Sequence, residues 1–386
     1  MKPTHPYFAI LGVTFALTGS ISSNASEAAP QSDWPTYNRT LTSERYSPLD
    51  QINAANVNAL KIQCVYDTKV KTSFETGLVQ VDGTLFGATE QDTFSINPDT
   101  CQENWRVHEA FRHSPVKVNR GVAIAGGKVF RGTTDGRVVA YDEASGKLLW
   151  ATTIADPARG ETVPASPIAW HGMIFIGNAG GDNKGVKGRI YGLDASTGKI
   201  IWEFYLVPKG PDDKARGPQA KSQSVAMSWV NAKGFPINGG GTWTSYTLDP
   251  STGLLYVPGG NPAPDFLNAY RYGDNLFTAS VVVLDARTGA YQRHFPIVSN
   301  DFHDWDEAAT PAVFTTKSGK RMMAVTPKDG HLYGYDLATR LYREPALPKE
   351  RHIREFEQWP NAASGSSEDL SAASSPQHFF VRTATM

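Results

Sequence analysis

Three carboxylates fall within six residues in Asp301-Phe302-His303-Asp304-Trp305-Asp306. Carboxylates this close can take a proton from a substrate or hold a hard cation through oxygen. Solvated acidic loops carry the same residue types, so the cluster gains meaning from its company. In Gly239-Gly240-Gly241-Thr242-Trp243 a large flat indole follows three glycines, which let backbone approach a ligand closely. Arg120, in Asn119-Arg120-Gly121, precedes the apolar Val122-Ala123-Ile124 and offers a planar fork matched to a carboxylate. Glu75, in Ser73-Phe74-Glu75-Thr76-Gly77, reads on its residues alone as a loop carboxylate.

A repeat supplies the elements that must position these groups. Asp142-Glu-Ala-Ser-Gly146-Lys-Leu-Leu-Trp150 and Asp194-Ala-Ser-Thr-Gly198-Lys-Ile-Ile-Trp202 are nearly identical, and weaker copies begin at Asn97, Asp285 and Asp336. Each reads as a strand ending in Asp or Asn, a turn whose side chains cap it while Gly takes a positive φ, and a returning strand. The anchors are spaced by 45, 52, 91 and 51 residues. A period near 50 with one hairpin and usually a Trp per unit predicts an all-β fold, a β-propeller of four-stranded blades packed face to face. The repeat overrides the two or three domains that length alone suggests. The 91-residue interval carries an insertion, and insertions on repeat scaffolds build functional faces.

Composition agrees with a turn-dense β protein: of 386 residues, 35 are Gly and 25 Pro. Net charge is −1, which removes the basic footprint that nucleic-acid binding needs. Lys2, the apolar run from Tyr7 to Leu17 and the small-residue end Ser23-Asn24-Ala25 predict a cleaved signal peptide at 1–25. No later segment offers a transmembrane span. Export permits a disulfide, and Cys64 with Cys101 is the natural pair. No Cys-x-x-Cys-His is present, so covalent c-type haem is excluded for these residues. The propeller domain is expected over 26–346, and the Ser- and Ala-rich 347–386 as an irregular tail.

Asp33-Trp34-Pro35-Thr36-Tyr37, Arg45-Tyr46-Ser47-Pro48-Leu49, Val118-Asn119-Arg120-Gly121, Gly180-Gly181-Asp182, Gly239 to Trp243, Gly260-Asn261-Pro262-Ala263-Pro264 and Asp301 to Asp306 occur in that order. Over about 33–343 this resembles the quinoprotein alcohol dehydrogenases, periplasmic eight-bladed propellers that carry pyrroloquinoline quinone (PQQ) and calcium. About five blade repeats are visible here, so the resemblance implies a propeller shortened at its C-terminal side.

The resemblance implies roles for individual residues. Trp243 would be the stacking floor for PQQ, with Glu75, Arg120, Thr242 and Lys328 around the cofactor, and Ser166 and Thr162 the weaker hydroxyl candidates, since Pro164 takes a usual Thr position. Asp182, where the family generally has Glu, Asn261 and Asp304 would hold Ca2+. A gapless match makes Asp304 the catalytic base, with His303 replacing a Trp, whereas alignment on Trp305 nominates Asp306. The family's adjacent cysteine pair would fall at Ser114-Pro115 and is absent. The expected activity is periplasmic oxidation of an alcohol, with electrons passing to an external cytochrome c. A truncated inactive derivative and a non-catalytic protein-binding propeller are the alternatives.

Overall fold

A computed structural model describes residues 32–110, 117–307, 309–339, 342–343 and 378–383. The expected leader, Ser114-Pro115 and most of 347–386 lie outside the described residues.

Local sequence explains the repeating unit. At each anchor the Asp or Asn side chain accepts backbone N–H groups of its own turn: Ser145 on Asp142 at 2.9 Å, Thr197 on Asp194 at 2.8 Å, and Thr288 on Asp285 at 2.9 Å. Asn97 and Asp336 do the same for Thr100 and Thr339. Gly146, Gly198 and Gly289 take φ of 69–73°, and Cys101 occupies the equivalent position in the first copy. These turns join the third and fourth strands of five four-stranded antiparallel sheets, each running in sequence order.

Blade one comprises Val79–Val81, Thr84–Ala88, Asp92–Ile96 and Glu103–His108. Blade two comprises Ala123–Ala125, Lys128–Gly132, Arg137–Asp142 and Leu148–Thr153. Blade three comprises Ile168–Trp170, Met173–Gly177, Arg189–Asp194 and Ile200–Tyr205. Blade four comprises Thr247–Asp249, Leu254–Pro258, Ser280–Asp285 and Tyr291–Pro296, and blade five Ala312–Thr315, Arg321–Val325, Tyr333–Asp336 and Tyr342–Arg343. The long anchor interval holds no extra blade. It lengthens two connections of blade four, whose Val230–Asn231 and Arg271–Tyr272 pair as a small ribbon.

The core sits between blades. Val138 to Tyr141 and Val281 to Leu284 are wholly buried, because side chains on both faces of a central strand meet a sheet. The repeat tryptophans join successive blades: Trp105 Nε1 donates to Glu143 O, Trp150 Nε1 to Ala195 O and Trp202 Nε1 to Ala286 O, at 2.9–3.1 Å. Each ring lies over the glycine of the next blade's turn. Cys64 and Cys101 form a disulfide that ties Lys61–Asp67 to blade one. Within 347–386, read from composition as irregular, His378–Thr383 forms a strand antiparallel to Lys61–Asp67. Its Phe-Phe-Val centre has the β preference that the Ser and Ala content around it lacks. Among the described residues no helix is long and apolar enough to cross a membrane.

Candidate active site

Topology gathers the predicted residues at one end of the propeller. In an antiparallel four-stranded blade, the connection into the first strand and the connection from second to third strand share one end. The capped turns lie at the other. Glu75, Arg120, Ser166, Thr242 and Asp304 precede first strands, while Asp182, Asn261 and Lys328 lie between second and third strands. Backbone bonds lace these connections together: Gly77 N to Arg120 O, Arg120 N to Pro164 O, Gly188 N to Gly239 O, Gly240 N to Asn261 O, and Lys328 N to Asp306 O. The glycines permit that approach. A Cβ on Gly260 would stand 2.7 Å from Gly241 O and 2.9 Å from Asp306 Oδ1.

Trp243 is the hub. Its Nε1 donates to Asp306 Oδ2 at 3.2 Å, the Arg120 guanidinium carbon is 4.6 Å from its ring centre, and Lys328 Nζ is 5.7 Å away. Arg120 also pairs with Glu75 at 2.5 Å. Lys328 Nζ lies 2.8 Å from Asp306 Oδ2 and 3.0 Å from Asp304 Oδ2. Burial opposes the ammonium charge, but Asp306 and Asp304 outweigh it and raise the Lys328 pKa. Asp306 is buried and accepts Asn261 N at 2.6 Å on its other oxygen. Burial pushes its carboxyl above the usual range despite Lys328. Asp304 is more open, with φ of 62°. Asp301 accepts the N–H groups of His303 and Trp305 and therefore shapes the loop.

Asp182 joins this group through its charge. Shielding from water, followed by the nearby Asp265, Asp306 and Asp304, raises its pKa to about 6. Asp265 is raised as well, by burial first and by Asp304, and receives Asn261 Nδ2 at 2.8 Å. Among the described residues no three His, Cys, Asp or Glu side chains form a metal cluster. A cation here would need a mixed set that includes the Asn261 amide oxygen. Carboxylates whose ionisation is opposed by one another fit such a cation, which would relieve the repulsion. A glycine-lined indole flanked by guanidinium and ammonium fits a flat anionic group.

Two hydroxyl candidates stand apart. Ser166 Oγ donates to Val122 O at 3.2 Å, and Thr242 Oγ1 accepts from Tyr246 and donates to Asn178 O at 3.4 Å. Their protons are directed at backbone, which the sequence could not reveal. Asp265 was missed, and its signal was a carboxylate four residues after Asn261. Glu307 was missed too. It is buried, neither carboxylate oxygen has a hydrogen-bond partner among the described residues, and burial followed by Asp329 and Asp306 pushes its pKa well up.

A family model described as glucose/ethanol/alcohol dehydrogenase, β-propeller domain (PQQ), matches residues 34–339. The chain is 31% identical over 338 residues to the quinohemoprotein alcohol dehydrogenase ADH IIB of Pseudomonas putida, covering 83% of this chain and 48% of that protein. It is 34% identical over 348 residues to the dehydrogenase subunit of the quinone-type alcohol dehydrogenase of Acetobacter aceti, covering 82% and 46%. The solved quinohemoprotein alcohol dehydrogenase from Comamonas testosteroni aligns with a TM-score of 0.73 at 30% identity, covering 82% and 49%. The chain therefore spans about half the length of the relatives it matches.

Proposed function

The chain belongs to the PQQ-type glucose/ethanol/alcohol dehydrogenase β-propeller family, and from that premise we propose that it binds PQQ with Ca2+ and oxidises an alcohol to an aldehyde or ketone. The observation that carries this reading is the convergence of Arg120, Trp243, Lys328, Asp304 and Asp306 at one end of the propeller. A scaffold that binds only proteins has no chemical need for that set in one place.

Trp243 would support the flat face of the cofactor, while Arg120 and Lys328 meet its anionic edge. Ser166 and Thr242 line the same end, with Glu75 orienting Arg120. Asp182, Asn261 and Asp304 would hold the calcium. Bound PQQ supplies the electron-pair acceptor that takes hydride from the carbinol carbon. Asp304 accepts the hydroxyl proton: its carboxylate is a third exposed and has Lys328 as its ion-pair partner, so a substrate can reach it. Lys328, held as ammonium by two aspartates, favours negative charge developing beside it. Asp306, already engaged by Trp243, Asn261 and Lys328, orients the floor. We place the protein in the periplasm, exported by residues 1–25, with an external cytochrome c as electron acceptor.

The test is reconstitution of the purified chain with PQQ and Ca2+, followed by quinone absorbance and alcohol-dependent dye reduction. Asp304→Asn is expected to retain the bound absorbance and lose turnover by about 10²–10⁴-fold. Full activity in that variant refutes the base assignment, and no PQQ binding by the wild-type chain refutes the cofactor reading. Binding without turnover in the wild type supports an inactive derivative.

A further inference from the structure

Arg271 lies on the blade-four ribbon, outside every motif of the candidate site. Its side chain is fully buried, and among the described residues it has no carboxylate salt bridge. Its donors go to main chain and one amide instead. Nε and Nη2 reach Pro264 O at 3.1 and 2.8 Å, and Nη1 reaches Asn275 Oδ1 at 2.9 Å. Nη2 also reaches Asp265 O at 3.2 Å and Asp301 O at 2.7 Å. One guanidinium nitrogen thus touches carbonyls of two loops that approach the site from different blades. A second tie joins the same loops, where Asn261 N donates to Asp306 Oδ1 at 2.6 Å. The loops carry Asn261 and Asp265 on one side and Asp304 and Asp306 on the other. Burial lowers the Arg271 pKa only to about 10, so the group stays charged at neutral pH.

We infer that Arg271 is a positioning residue that sets the spacing between the Asn261–Asp265 loop and the Asp301–Asp306 loop. The long insertion thereby gains a purpose, since its ribbon delivers a rigid planar fork to a place where two irregular loops would otherwise leave buried carbonyls unpaired. Lysine cannot replace it. A single ammonium has three donors on a flexible stem and cannot span carbonyls on both sides in one plane. The coupling of the loops stands on these contacts alone, whereas its consequence for ligand affinity rests on the proposed function.

Hydrogen exchange of the full chain without cofactor tests the coupling directly, in Arg271→Lys and Arg271→Met. Exchange of the Asn261, His303 and Trp305 amides is expected to quicken by roughly tenfold or more in both variants, with the blade-four strand Ser280–Asp285 unchanged. Unchanged loops overturn the inference. So does uniform acceleration through blade four, which marks a merely structural residue. If Arg271→Met does not fold, the lysine variant decides. Titration of Ca2+ into protein with PQQ, read by quinone absorbance, supplies a second measure, and the variants should bind Ca2+ about tenfold more weakly. Equal Ca2+ affinity in wild type and variants overturns the role at the site. Absence of any wild-type absorbance change counts against the proposed function, and the exchange result then judges Arg271 independently.

Discussion

The contact between each repeat tryptophan and the next blade's turn can be isolated by two alanine substitutions at glycines of nearly equal backbone angle. Gly198 has φ of 73° and Gly172 has φ of 75°. A Cβ at Gly172 meets nothing within 4 Å, whereas at Gly198 it falls 2.5 Å from Trp150 Cε3 and 2.6 Å from Thr152 Oγ1. Both variants carry the left-handed backbone cost of about 1–2 kcal/mol. Gly198→Ala must in addition push the indole about 1 Å outward, and overpacking of that kind costs roughly 1–3 kcal/mol. Displacement also strains Trp150 Nε1 to Ala195 O at 3.1 Å and Thr152 Oγ1 to Gly198 O at 2.7 Å, each contributing about 1 kcal/mol. The expected losses are about 3–5 kcal/mol for Gly198→Ala and about 1–2 kcal/mol for Gly172→Ala. Urea unfolding followed by circular dichroism measures both. Adding Trp150→Leu should shrink the difference, because the indole's share of the clash leaves with the ring while that with Thr152 Oγ1 remains. Equal losses at Gly198 and Gly172, within about 0.5 kcal/mol, refute the docking argument.

Glu307→Gln should stabilise the protein at neutral pH. With its folded pKa raised, Glu307 holds its proton to higher pH than the unfolded chain, which releases one above about pH 4.5, so the wild type loses stability as pH rises from there. Unfolding free energies of wild type and variant should converge below that pH and diverge above it, and a constant difference contradicts the buried protonated acid. Replacing Cys64 and Cys101 together by Ser opens a loop with a sequence separation of 37, for which chain entropy predicts a loss of about 4 kcal/mol. A shift in urea midpoint that corresponds to less than about 1 kcal/mol would mean that the unfolded chain does not gain that freedom.

How much was legible from sequence follows from the range of the interactions. The blade turns were readable because Asp142 with Ser145, or Asp194 with Thr197, act within three residues and leave the same signature each time. The tryptophans were readable as packing groups by repetition, although their acceptors at Glu143, Ala195 and Ala286 lie 38 to 84 residues away. Arg120, Trp243 and Lys328 were selected through resemblance, and the structure brings them together. Arg271 could not be read at all, since its ribbon is two residues per strand and its partners are carbonyls, which every residue carries. The bonds of the Ser166 and Thr242 hydroxyls to Val122 O and Asn178 O were hidden for a related reason: a side chain's type says that it can donate, and only the fold says to whom.

The choice between Asp304 and Asp306 shows the same limit from the chemical side. Sequence alignment admits either carboxylate, because shifting the match by two residues exchanges them. Occupancy of lone pairs separates them. Asp306 receives Asn261 N on one oxygen and Trp243 Nε1 with Lys328 Nζ on the other, all in a buried place. A carboxylate so engaged holds its neighbours and has little capacity left for a new proton donor. Asp304 has a single donor, Lys328 Nζ, at 3.0–3.1 Å from its oxygens among the described residues, and its side chain is a third exposed. Asp306→Asn therefore separates the roles. Since the two oxygens of Asp306 both face donors, an amide in either orientation points its NH2 at one of them, so either the Trp243 floor or the Asn261 loop should shift. Weaker PQQ binding with the turnover of the bound fraction largely retained is the expected result, whereas intact binding with lost turnover would transfer the base from Asp304 to Asp306.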